Sequence, residues 1–123
     1  KWFDKALEIQ EKVLDSLSPA LATTYNNIGT VYFYQGKYEE ALKWYDKTLE
    51  IQEKVLDPLH LNLTTTYRSI GLNYKGMKNY EKALEYYDKA LPGYIKHYGK
   101  NSEEVIRTEL EIKSFKLSIK YKN

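Results

Sequence analysis

Residues 24–42, TYNNIGTVYFYQGKYEEAL, return as residues 66–84, TYRSIGLNYKGMKNYEKAL, at an offset of 42. The flanking block repeats as well, since residues 1–17 (KWFDKALEIQEKVLDSL) and 43–59 (KWYDKTLEIQEKVLDPL) are identical at 14 of 17 positions. A third, worn copy opens at Glu85 with EYYDKAL. Self-similarity at one fixed period is the mark of supersecondary units that bury a core only by stacking on their neighbours.

Within each copy the apolar spacing is helical. Phe3, Leu7 and Leu14 lie on one face of a segment that Ser18-Pro19 ends, with Ser18 as the next N-cap and Pro19 at the first helical position. From Ala20 to Gln35, Leu21, Tyr25, Ile28 and Tyr32 recur every three or four residues, and Gly36 reads as a left-handed C-cap. A second helix is expected from about Tyr38 to Leu56, closed by Asp57-Pro58. The next cycle predicts helices over Leu61–Lys75 and Tyr80–His97, and a last helix capped by Asn101 or Ser102 with Glu103 and Glu104 in its first turn. Two departures stand out. Lys78 occupies the place of Gly36, so Gly76 or Asn79 is expected to take the positive φ; and Pro92 predicts a kink or break near Leu91.

The pattern YNNIG, Tyr32, Gly36, Ala41 and Tyr45, matched by Tyr67, Ile70, Gly71, Tyr74, Ala83, Tyr87 and Ala90, resembles the tetratricopeptide repeat (TPR). More closely, it resembles the 42-residue form found in kinesin light chains. The resemblance implies an all-α, right-handed α-solenoid of about six helices. Over 1–123 that is a single domain: an orphan second helix at 1–17, hairpins at 18–57 and 58–98, and a diverged terminal helix at 99–123. Gly29 and Gly71 each cost a helix about 1 kcal/mol against Ala, a sacrifice that makes sense where a neighbouring helix must approach closely. The chain starts at Lys1 inside a repeat, without Met, and reads as an excerpt of a longer array.

Composition narrows the function. The net charge of +2, from 19 basic and 17 acidic residues, gives no basic stripe for nucleic acid and no cationic face for a membrane. There is no cysteine, no long apolar run and no signal peptide, which leads us to expect a cytoplasmic protein. His60 and His97 lie apart without a carboxylate at ligand spacing, and no nucleophile–base pattern or phosphate loop is present; neither enzyme activity nor a metal or other cofactor is expected. The 13 tyrosines fall mostly at packing positions of the repeat, so a base-stacking surface is not expected.

Charge is unevenly spread. No charged residue lies between Ser18 and Gly36, and only Arg68 and Lys75 lie between Leu59 and Gly76, whereas Tyr38–Asp57 holds nine charges in twenty residues. We therefore expect the second helices of the hairpins on a solvated outer surface and the first helices lining a peptide-binding groove. Its candidates are Thr23, Asn26, Asn27, Thr30 and Phe33, then Thr65, Arg68, Ser69, Leu72 and Lys75, with Arg107 beyond. The resemblance implies that Asn27 holds ligand backbone; Ser69 and Glu111 stand at the equivalent places. Arg68 and Arg107, the only arginines, suggest a carboxylate or acidic segment as ligand. Asn26, Asn27 and the arginines solvating an inner face or bonding between repeats is the plainer alternative.

In the last helix Val105, Ile112, Phe115 and Ile119 form one apolar stripe, and Ile106, Leu110, Leu117 and Tyr121 another nearly opposite. The first can cover the preceding repeat. The second, like Trp2 at the other end, needs a cover of its own, so self-association through a terminal helix is expected. The sequence reading is thus a non-catalytic adaptor scaffold for a protein or peptide ligand. Its alternative is a structural module that oligomerises through its ends.

Overall fold

A computed structural model describes residues 18–121, which form two compact units dividing between Leu56 and Asp57. The first unit holds α1 (Pro19–Tyr34) and α2 (Tyr38–Val55); the second holds α3 (Leu61–Gly76), α4 (Tyr80–Tyr98) and α5 (Glu103–Lys120). No strand occurs among the described residues. The helix expected over 1–17, and Trp2 with it, lies outside them.

The Ser18 hydroxyl accepts from the Ala20 amide at 3.2 Å and Pro19 fills the first helical turn, so α1 begins where its cap chemistry dictates. It ends at a left-handed Gly36 (φ 75°), with the Lys37 amide donating to the Tyr32 carbonyl at 2.9 Å. The chain reverses there, and α2 packs back through Leu21, Ala22, Tyr25, Ile28 and Ile51. Gly29 sits against the Tyr45 ring: a Cβ at that position would lie 2.9 Å from two ring carbons. Thr48, fully buried, donates to the Trp44 and Ala22 carbonyls and so brings no unpaired polar group inside.

In the second unit the same turn recurs without its glycine. Lys78 itself takes the left-handed conformation (φ 62°), not Gly76, which ends α3, nor Asn79, which caps α4. The Lys78 amide donates to the Lys75 carbonyl and the Asn79 amide to the Tyr74 carbonyl, both at 2.9 Å, the same pair of bonds that closes the Gly36 turn. Hydrogen bonding and packing of the hairpin thus outweigh the ~1–2 kcal/mol that a side chain costs in this region. Glycine removes that strain but frees the unfolded chain, so Lys78→Gly is expected to stabilise the protein by about 0.5–1 kcal/mol. A urea midpoint that stays put or falls would contradict this.

The break expected at Pro92 does not occur, and α4 runs unbroken from Tyr80 to Tyr98. Pro92 and Asp88 both lie on the exposed side, where water can satisfy the carbonyl that the missing N–H leaves. On the inner side Ala90, Gly93 and Tyr94 are buried and hold the helix in place against α3 and α5. Gly71 repeats the role of Gly29, with the Tyr87 ring pressed on its backbone. Tyr87 in turn meets Phe115 of α5 edge-on at 5.1 Å. As the alternation of α5 suggests, Val105, Ile112 and Phe115 are buried against α4, while Ile106, Leu110, Leu117 and Tyr121 face outward.

Candidate functional site

The second unit has a cleft of about 210 Å³ lined by Thr65 and Arg68 of α3, Tyr94 and Tyr98 of α4, and Glu104, Arg107 and Thr108 of α5. Three sequence candidates, Thr65, Arg68 and Arg107, thus come together. Four lining residues were not among them. Tyr94 and Tyr98 belong to a second-type helix, so this cleft is not lined by first-type helices alone. The only advance signal for them is their spacing of four on one helix face.

Each wall is fixed by local bonding. The Thr65 hydroxyl donates to the Leu61 carbonyl at 2.9 Å and the Thr108 hydroxyl to the Glu104 carbonyl at 2.7 Å, so both oxygens keep lone pairs for an incoming N–H. Tyr94 is buried and its ring stacks on that of Tyr98 at 6.0 Å, leaving Tyr98 as a half-open apolar wall. Arg107 is ion-paired with Glu103 one turn earlier. Arg68, half-buried, has no carboxylate within ion-pair distance among the described residues. Burial raises the phenol pKa of Tyr94 and pushes that of Tyr87 up to about 12; the nearby Arg68 guanidinium works against burial at both.

The remaining candidates divide. Thr30 is turned to its own hairpin, where its hydroxyl meets the Tyr45 hydroxyl at 3.1 Å and donates to the Asn26 carbonyl at 2.9 Å. Phe33 packs edge-on with Tyr34 and Tyr38. The Thr23 hydroxyl donates to the Pro19 carbonyl, and Asn27 is exposed. The Asn26 side-chain oxygen is buried without a hydrogen-bond partner. In the second unit Leu72 packs on the core around Tyr87 and Phe115. Lys75 is held by both oxygens of Glu111 at 3.2 and 3.1 Å, which engages the residue at the position equivalent to Asn27. Ser69 is half-buried beside Arg68 in sequence but does not line the cleft.

Among the described residues no three His, Cys, Asp or Glu side chains gather as a metal site, and no helix is long and apolar enough to cross a membrane.

A family model described as tetratricopeptide repeat matches residues 1–53 and 20–96. No curated protein matches the chain. Among solved structures it is similar to a Podosopora anserina protein of the kinesin-light-chain kind with nearly identical TPR-like repeats, at TM-score 0.82 and 18% identity over 92% of this chain and 54% of that one. It is also similar to BtubC (BKLC) from P. vanneervenii, at TM-score 0.80 and 20% identity over 94% and 46%. The N-terminal domain of stress-induced protein-1 from C. elegans matches at TM-score 0.65 and 20% identity over 93% and 76%. The chain spans about half the length of the first two.

Proposed function

Since the chain belongs to the tetratricopeptide repeat family, with the all-α repeat-solenoid fold seen in kinesin-light-chain-like proteins, we propose that its second unit binds an extended peptide segment through a carboxylate received by Arg68. Members of this family are in general non-catalytic modules for protein–protein interaction, and the proposal makes that role specific. The observation behind it is a half-buried guanidinium, without an ion-pair partner among the described residues, opening on a cleft walled by hydroxyls and a tyrosine pair.

The division of labour follows from the side chains. Arg68 offers a planar fork of donors that fits a carboxylate through two parallel hydrogen bonds. Thr65 and Thr108 have lone pairs to accept from peptide N–H groups. The Tyr94–Tyr98 pair supplies an apolar wall for a ligand side chain at little entropic cost, its rings being already stacked. Glu104 disfavours a second carboxylate beside the first, so the ligand is expected to place one acidic group in the cleft rather than a run of them.

The test is fluorescence anisotropy with a labelled peptide bearing a single aspartate among apolar residues, against the same peptide with asparagine. Arg68→Ala should weaken the aspartate peptide about tenfold and leave the asparagine peptide unchanged, the scale of one charge-assisted hydrogen-bonded contact. Arg68→Lys should recover only part, because an ammonium lacks the fork. Equal affinity of wild type and Arg68→Ala for the aspartate peptide would end the reading. Asn27→Ala, in the other unit, is the comparator: a loss there too would mean that the ligand reaches both units.

A further inference from the structure

On α5 the outward stripe is strongly exposed, at 49% for Ile106, 60% for Leu110, 54% for Leu117 and 70% for Tyr121. The repeat offset shows that it is new. Leu110 and Leu117 stand where α3 has Arg68 and Lys75, so apolar groups replace charged ones. The same offset argues against a hairpin partner packed as on α1 and α3. Their glycines receive a tyrosine ring, Gly29 from Tyr45 and Gly71 from Tyr87, whereas α5 has Lys113 at that place. A helix folding back in the repeat register would have to bury that ammonium against its tyrosine.

Charge then selects the occupant. Residues 103–111 hold four carboxylates and one guanidinium; residues 112–120 hold three lysines and no carboxylate. Neither Glu109 nor Lys113, Lys116 or Lys120 has an ion-pair partner among the described residues. Two such helices side by side in parallel set like charge on like. Antiparallel, each acidic half lies on the other copy's lysine half.

We infer that a second copy of this chain covers the stripe, α5 on α5, antiparallel about a two-fold axis. Ile106 of one copy then meets Tyr121 of the other and Leu110 meets Leu117, with Glu109 near Lys116 and Lys120 across the axis. Such an interface is self-complementary and closes at the dimer. It is small, with affinity on the order of 10 µM rather than nanomolar. The inference does not depend on a ligand binding at Arg68, so the two proposals are tested separately.

Sedimentation velocity across micromolar concentrations is expected to show a monomer–dimer equilibrium that weakens with salt. Leu117→Glu should shift it by about tenfold or more toward monomer with unchanged helical content, because Leu117 is exposed and its loss leaves the core intact. The chain has no cysteine of its own, so orientation can be read by disulfide trapping. Ile106→Cys mixed with Tyr121→Cys should form cross-linked pairs, and each alone should not. A chain monomeric throughout, or Ile106→Cys linking to itself as readily as to Tyr121→Cys, would overturn the inference.

Discussion

Gly93→Ala is expected to destabilise the protein by about 2 kcal/mol, lowering the melting temperature of the second unit by roughly 10 °C. A Cβ on Gly93 would run into the Thr64 hydroxyl and lie 2.8 and 2.9 Å from the Thr64 Cβ and Cγ2. Thr64 is 1% exposed and β-branched, so it has no rotamer that clears the space without disturbing the α3–α4 interface. Overpacking on this scale costs up to about 3 kcal/mol, and alanine's better helix propensity offsets only about 1. Thr64→Ala removes two of the three obstructing atoms. It should therefore recover most of the loss in the double variant, giving a coupling of about 1–2 kcal/mol in a thermodynamic cycle. If Gly93→Ala melts at or above the wild-type temperature, close approach is not what the glycine provides.

That contact also explains what could and could not be read from the chain. Pro92-Gly93 is a breaking signal by local rules, yet the pair sits in a continuous helix, with the proline on the wet side and the glycine against Thr64. Local preference was the weaker guide at Lys78 too, where alignment with Gly36 alone would have located the turn. The hairpins were legible because period, caps and the close-approach glycines agree at every level. The two faces of α5 were legible for the same reason, since helical spacing alone sorts Val105, Ile112 and Phe115 from Ile106, Leu110 and Leu117. The cleft was legible only by halves. Charge singled out Arg68 and Arg107, but Tyr94 and Tyr98 enter from a helix whose charged sequence had assigned it to the outside. Leu72 and Lys75, groove candidates by position, also pack on the core and pair with Glu111, contacts that depend on where α5 lies.

Tyr87 makes the stability of the second unit pH-dependent on the alkaline side. Its ring is 1% exposed, between Gly71 and Phe115, and its hydroxyl is buried without a hydrogen-bond partner. Burial pushes its pKa up to about 12, even though Arg68 pulls the other way. In the unfolded chain the phenol ionises near pH 10. The folded-state value is the higher one, so the unfolded state loses its proton first. The neutral-phenol contribution is complete below about pH 10 and drains away as pH rises toward 12, roughly 3 kcal/mol in all at about 1.4 kcal/mol per pH unit. Tyr94, raised in the same direction by burial, adds to the slope. Phenylalanine keeps the edge-on contact with Phe115 and cannot ionise. At neutral pH Tyr87→Phe should be more stable than wild type by about 1 kcal/mol, since it removes an unpaired buried hydroxyl. Its advantage should then widen above pH 10, which urea unfolding between about pH 8 and pH 11 would register. Parallel stability curves for the two proteins would mean that the Tyr87 phenol reaches water, and that the packing of α5 over it through Phe115 is looser than a 5.1 Å edge-on contact implies.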